Sequence, residues 1–143
     1  MDQVSSSSPA PRWFIPAALA ALLFELVGCA IFAMQMSVDP ALLDPADRAT
    51  WDAAPAWMVA ANGVAVAAGL VGAILLLLRR RQAEPLLLLS FVAVLVEYAA
   101  LLLAPALRNL TTSDDLFLPF VIAVLSYAVW HFARRARLRG WLR

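Results

Sequence analysis

The sequence predicts an all-α protein, an integral membrane four-helix bundle with both termini in the cytoplasm. Two observations support this fold class. The 143-residue chain is 64% hydrophobic and has a mean hydropathy of +0.81, whereas an average soluble protein is roughly 45–50% apolar. The apolar residues also gather in four runs, each near the length of about 20 residues that crosses a bilayer. A soluble fold of this size would have no surface for so much Leu, Ala and Val.

The limits of the predicted elements follow from turn-forming and charged residues. A Ser/Pro-rich segment, 1–12, is predicted to be disordered and precedes a membrane domain over 13–133. The predicted spans are 13–36, 57–78, 86–107 and 116–132. The second span stops at Arg79–Arg81, and the third begins after Pro85, a residue that is tolerated at a helix start. The fourth is near the lower limit of about 17 residues for a spanning helix. A basic cytoplasmic tail, 134–143, follows it.

The distribution of arginine predicts the orientation. Arg79–Arg81 lie between spans two and three, and five arginines follow span four. The loop 37–56, after span one, instead carries four aspartates against Arg48 alone. Loops rich in Lys and Arg stay in the cytoplasm, so both termini are predicted to be inside and this loop outside. Within the loop, Asp44 followed by Pro45 predicts the start of a short surface helix.

Rows of small residues predict where the spans pack against one another. Span two carries two such rows at i+4 spacing: Ala61, Ala65, Gly69 and Ala73, and Ala68 and Gly72. Small residues let neighbouring backbones approach closely, so Gly69 is expected at a helix–helix contact. Small residues also share a helix face with Glu25 in span one and with Glu97 in span three, which predicts that both glutamates face the bundle interior.

Glu25 and Glu97 form the candidate intramembrane polar site, because an ionised carboxylate in the middle of a span is costly and usually functional. Each lies about 18 Å from the cytoplasmic end of its span at the helical rise, so the two carboxyls are expected at similar depth. Two interpretations stay open. Either the pair binds or relays a proton or a small cation, or both groups are protonated and hydrogen-bond to neighbouring helices. Asn62 in span two is expected to take part in either arrangement, as a further polar group of the site or as a hydrogen-bonding group between helices.

The remaining candidates are weaker. Four tail arginines are predicted to bind anionic lipid headgroups: Arg134, Arg135, Arg137 and Arg139. The arginine clusters flank apolar spans instead of a polar surface with aromatics, so no nucleic acid partner is expected. Cys29 is the lone cysteine; it either lies inside span one or, with Leu26–Gly28, resembles the lipobox of a bacterial lipoprotein. His131, the single histidine, is expected at the membrane interface, and no metal or cofactor is predicted.

A set of packing, turn and charge residues is typical of one group of membrane proteins. The set comprises Phe24–Gly28, Met34, Asp39–Ala41, Pro55–Trp57, Gly69, Leu75–Arg81 and Pro85. Over residues 13–105 the chain resembles a family of small four-helix bacterial inner-membrane proteins whose members are often automatically labelled "sugar transporter". The resemblance implies a multi-pass protein of the bacterial inner (cytoplasmic) membrane.

Three classes of function follow. The small-residue rows and short loops favour an accessory, assembly or structural subunit, which is the primary expectation. The alternative is a small solute, proton or cation transporter that uses Glu25 and Glu97. A four-span protomer would have to oligomerise to enclose a pathway, so a homo-oligomer or a larger membrane complex is the expected partner, besides the lipid bilayer. A membrane enzyme ranks last, since the sequence shows no nucleophile with a base and no Gly-rich phosphate loop.

Overall fold

The computed structural model describes residues 9–143, and within them the chain is all-helical, without β-strands, as predicted. The helices are α1 (Phe14–Ser37), α2 (Pro45–Ala53), α3 (Ala56–Leu77), α4 (Ala83–Leu103), α5 (Pro105–Arg108) and α6 (Phe117–Leu138). Short 3₁₀ turns lie at Pro40–Leu42 and Asp114–Leu116. Helices α1, α3, α4 and α6 are each long and apolar enough to cross a membrane. Residues 1–8 of the predicted disordered segment lie outside the described residues.

The four long helices run in alternating directions, and α3 packs between α1 and α4 while α6 packs on the other side of α4. α1 and α4 begin at one end of the bundle, where α3 and α6 finish. We call it the arginine end, because Arg79–Arg81 and Arg134–Arg143 lie there. The opposite, aspartate end holds α2 packed on α5, together with Asp114 and Asp115.

Two helix limits differ from the predicted spans. α4 ends at Leu103 instead of continuing to 107, since a proline disfavours helical backbone in the residue before it. Ala104, which precedes Pro105, is accordingly extended, with φ −82° and ψ 111°. α6 continues past the predicted limit at 132 to Leu138. The residues there, Arg134, Arg135, Ala136 and Arg137, are good helix formers, so the helix continues into the basic segment.

The predicted start of α2 is confirmed. Asp44 is the N-cap, and its side chain accepts hydrogen bonds from the backbone N–H groups of Ala46 (3.0 Å) and Asp47 (2.9 Å). Pro45 occupies N1, where its missing N–H costs nothing. Arg48 links the helix to the preceding turn by donating to the Pro40 carbonyl oxygen at 2.9 Å. The connection at the aspartate end is therefore a folded segment.

The small residues of α3 do lie in the packed interface. Ala65, Ala68, Gly69, Gly72 and Ala73 are all buried. A Cβ added to Gly72 would lie 2.8 Å from Leu87 Cγ, so α4 approaches α3 closely enough that only glycine fits without adjustment. Gly69 lies at a helix–helix contact, as predicted, because it faces side chains of both α1 and α4.

At the arginine end, α3 and α6 end in the same type of C-terminal cap. In α6, Gly140 has φ 71° and Trp141 N–H donates to the Ala136 carbonyl oxygen (2.9 Å), which is a Schellman motif. In α3, the equivalent left-handed position is held by Arg79, with φ 56°. The two caps pair with each other: Arg143 N–H donates to the Arg79 carbonyl oxygen (2.6 Å).

Aromatic side chains fill the space beneath these caps. Phe14 of α1 and Trp141 are buried, and their ring centroids are 6.2 Å apart. Phe132 of α6 packs on Phe14 with centroids 5.4 Å apart, and the Arg79 guanidinium lies 5.3 Å from the centre of the Phe14 ring. Two residues of the predicted basic tail, Trp141 and Leu142, are buried, because the chain folds back at Gly140 and packs both apolar side chains against the helices.

The contact between α3 and α4 gives a first prediction. Gly72→Leu should lower the free energy of unfolding by about 1–3 kcal/mol, since the larger side chain must push Leu87 and its helix away. Val71→Leu is the matched control, because Val71 is the preceding residue and is 48% exposed. Thermal unfolding in detergent measures both. Equal melting temperatures for the two variants would show that α3 and α4 do not pack at Gly72.

The cap of α6 gives a second prediction. Gly140→Ala should destabilise the protein by about 1 kcal/mol, because a Cβ is strained at positive φ. Leu138→Ala, at an ordinary helical position that is 76% exposed, should leave stability nearly unchanged. The melting temperatures of the two variants in the same detergent test this role of Gly140. A Gly140→Ala protein as stable as the parent would show that the left-handed conformation at residue 140 does not stabilise the fold.

Candidate functional site

A cavity of about 550 Å³ lies between the four long helices in the half of the bundle nearer the aspartate end. All three polar residues that the sequence singled out line this cavity: Glu25 from α1, Asn62 from α3 and Glu97 from α4. Three further hydroxyl-bearing residues also line it, namely Ser90, Tyr98 and Ser126. Every long helix therefore contributes to one shared, partly polar space.

The cavity exists because the four helices are closed at one end only. At the arginine end, α1 and α6 are joined through Phe14, Phe132 and Trp141. Towards the aspartate end, α1 and α6 lie on opposite sides of the cavity, with Gly28 and Ile122 among the residues that line it. The cavity reaches the protein surface at Asp114 and Asp115 and also between α1 and α6, where Ile31 and Leu118 line it and are exposed.

Glu25 is a buried polar residue of the site. It is only 6% exposed, and its carboxyl group occupies the space that a side chain at residue 69 would take. The same missing Cβ would lie 2.9 Å from Ser90 Oγ, so Glu25, Gly69 and Ser90 lie at one level of the bundle. Ser90 Oγ donates to the Ala65 carbonyl oxygen at 2.8 Å. Gly69 is therefore the residue that makes room for the carboxyl group.

The carboxyl groups of Glu25 and Glu97 have no protein partner within residues 9–143, where the hydrogen bonds and salt bridges found include neither group. Their oxygens are not among the fully buried polar atoms without a partner, so both carboxyl groups are open to the cavity. Both glutamates face a space large enough to admit a ligand. The site consequently has two carboxyl groups available to whatever enters the cavity.

Glu97 lies at a second level, nearer the aspartate end. It is seven residues beyond Ser90 in α4, which corresponds to about 10 Å at the helical rise. Asn62 is seven residues before Gly69 in the antiparallel α3, so it lies at the level of Glu97. The Phe32 ring is near this level as well, because a Cβ on neighbouring Gly63 would lie 3.5 Å from it.

The expectation that the two carboxyls lie at similar depth is therefore wrong. The expectation came from counting residues from the cytoplasmic end of each span. The contacts of Gly69 instead place the Glu25 carboxyl group at the level of Ser90, which is two helical turns from Glu97 in α4. About 10 Å of helical rise separates the Ser90 and Glu97 backbones, and within residues 9–143 no hydrogen bond joins the two carboxyl groups. A proton shared directly between the two carboxyls does not fit this geometry.

Three hydroxyl-bearing residues that line the cavity were missed by the sequence analysis. Ser90 lies seven residues, or two turns, from Glu97 and thus on the same helix face, which was the available signal. Tyr98 follows Glu97 directly and lines the cavity with it. Ser126 carries no sequence signal of its own, because single serines are frequent in apolar helices and its role depends on how α6 packs.

The tail arginines lie in the last turns of α6 and in its cap, with exposed side chains. Three of the four contact other residues of the chain. Arg137 forms an ion pair with Glu84, while the guanidinium groups of Arg134 and Arg139 lie over the rings of Trp130 (5.5 Å) and Trp141 (5.2 Å). Binding of anionic headgroups by these arginines stays a prediction.

Cys29 and His131 are not among the residues that line the cavity. Cys29 is within α1, and its Sγ donates to the Val66 carbonyl oxygen of α3 at 3.5 Å. The imidazole of His131 stacks on Tyr127 with ring centroids 5.7 Å apart. Both side chains thus take part in packing between neighbouring residues and helices.

Comparison with known proteins gives no match: no family model, no curated protein and no solved structure is significantly similar to the chain. The resemblance to the small four-helix inner-membrane proteins stays a prediction. The function has to be inferred from the cavity and the residues that line it.

Proposed function

We propose that the chain is an integral membrane protein that binds a cationic solute in the cavity between its four long helices. Embedding in a membrane is supported by the outward faces of those helices. Large apolar side chains there are highly exposed, including Leu23 (63%), Leu103 (74%) and Phe117 (71%). Exposed apolar surface of this extent is unfavourable in water and is expected of a lipid-facing surface.

The proposed orientation places the arginine end in the cytoplasm and the aspartate end outside, in agreement with the positive-inside rule. The membrane would be the bacterial inner membrane, an assignment that rests on the family resemblance alone. In this orientation the cavity opens to the outer side, and Asp114 and Asp115 lie at its mouth. Their negative charge would raise the local concentration of cations there.

Cation binding rests on one observation: Glu25 is nearly buried, lacks a partner within residues 9–143 and faces a cavity that also contains Glu97. A cation that enters would supply the missing partner for a carboxylate, and electrostatic attraction is stronger there than in water. Transport would further require the aromatic contacts at the arginine end to separate. The accessory-subunit role expected from the sequence stays a prediction, and the Glu→Gln experiment below separates the two.

The orientation can be tested by cysteine labelling. In a Cys29→Ser background, which keeps a donor towards Val66, Asp47→Cys should react with a membrane-impermeant maleimide added to whole cells. Arg139→Cys should react only after the membrane is opened, because it lies at the arginine end. Labelling of both positions, or of neither, in whole cells would contradict the proposed four-span topology.

The binding proposal can be tested with Glu25→Gln and Glu97→Gln, which keep the shape of the side chain and remove its ionisable group. The double variant should weaken binding of an organic cation such as tetraethylammonium by about tenfold or more, since both charged partners are lost. Glu84→Gln is the matched control, because Glu84 is on α4 but pairs with Arg137 outside the cavity. Isothermal titration calorimetry in detergent measures the affinity.

The same variants separate binding from a purely structural role. If the glutamates only join helices, Glu→Gln preserves a donor and an acceptor, so stability and any cellular activity should stay near those of the parent and no cation should bind to either protein. Absence of cation binding to the correctly folded parent would overturn the proposed function.

A further inference from the structure

The two carboxyl levels of the cavity are separated by an apolar stretch. Val94 lies one turn from Ser90 and one turn from Glu97 on the same face of α4, and it is buried. Val66 of α3 and Ile122 of α6 also line the cavity. A ligand that reaches from one carboxyl group to the other must therefore pass apolar side chains. Its two ends must be cationic and its middle apolar.

Each carboxyl level also has an aromatic neighbour. Phe24 precedes Glu25 in α1, and Tyr98 follows Glu97 in α4; both residues line the cavity. Phe32 adds a third ring near the level of Glu97. Aromatic faces attract ammonium groups and also contact alkyl chains. An aromatic and apolar lining next to each carboxyl group favours an organic ammonium over a small metal ion. A small metal ion is usually held by several oxygen ligands that converge on one point.

We propose that the ligand is a linear α,ω-diamine that spans both levels, with one ammonium group at Glu25 and the other at Glu97. This inference rests on the proposed cation-binding function and specifies its ligand class. An ammonium group lies about 3 Å from a carboxylate that it binds. The Ser90 and Glu97 backbones, which mark the two levels, are about 10 Å apart along α4, and an alkyl chain of about four to eight carbons spans a gap of that order. The cavity volume of about 550 Å³ accommodates such a molecule.

Binding at two sites by one molecule has a measurable signature. Once the first ammonium is bound, the second carboxylate is reached intramolecularly, so a diamine of matching length gains affinity over a monoamine with the same number of carbons. The gain should depend on length, with a maximum where the separation of the nitrogens matches that of Glu25 and Glu97. A single-level site would produce no such maximum.

The test titrates the purified full chain in detergent with 1,n-diaminoalkanes and with 1-aminoalkanes of equal length, at constant ionic strength. We expect the best diamine to bind about 10- to 100-fold more tightly than the matched monoamine. Glu97→Gln should reduce diamine affinity to that of the monoamine, and Glu97→Asp should restore part of the gain. Glu84→Gln should leave the ratio of diamine to monoamine affinity unchanged.

The outcomes distinguish this inference from the proposed function. Equal affinity for diamines and monoamines at every length would overturn the inference and leave the cation site in place. Binding only of metal ions would overturn it in the same way, whereas no binding of any cation would overturn both. If Glu25→Gln does not fold, the length series and the Glu97 variants still decide the question.

Discussion

The close approach of α3 to both of its neighbours is the constraint on which the rest of the structure depends. Gly69 and Gly72 lack the Cβ atoms that would separate the helices, so α4 packs directly on α3 at Leu87. The same absence of a side chain at residue 69 leaves a space that the Glu25 carboxyl group occupies. At the membrane location proposed for this chain, burial of apolar groups away from lipid contributes little, and van der Waals contact between closely spaced helices is the main stabilising interaction between them. Packing and site geometry therefore share one physical origin.

The two ends of the bundle differ because different interactions close them. At the arginine end, paired backbone caps together with tilted and edge-to-face aromatic contacts hold α1, α3 and α6 together. At the aspartate end, the connections are folded but lie beside the cavity instead of filling it. Asp115 accepts hydrogen bonds from the N–H and hydroxyl groups of Thr112 (2.8 and 2.7 Å), which fixes the turn at the mouth of the cavity. The result is a bundle closed on one side and open on the other.

The arrangement of the carboxyl groups limits the chemistry of the site. Two carboxyls in contact would favour a shared proton, since both cannot ionise cheaply. Two carboxyls about two turns apart can each hold a charge when a counter-charge is present, with apolar and aromatic side chains between them. Such a site binds most tightly a ligand whose positive charges are spaced like the two carboxyl groups. The specificity proposed for the cavity follows from spacing along the helix axis more than from the number of polar groups.

The sequence by itself determined the class of the fold, the four apolar helices, the interior position of Glu25, Glu97 and Asn62, and the start of α2 at Asp44. These features depend on composition, on helical periodicity and on local hydrogen bonds, all of which act within one helix or one turn. Tertiary structure alone decided the relative depth of the two glutamates, the participation of Ser126, and the burial of Trp141. Depth depends on how far neighbouring helices slide past one another, and that register is set by the contacts of Gly69 and Gly72 and by the paired caps at Arg79 and Gly140. Those contacts join residues far apart in the chain, so no periodicity within a single helix encodes them.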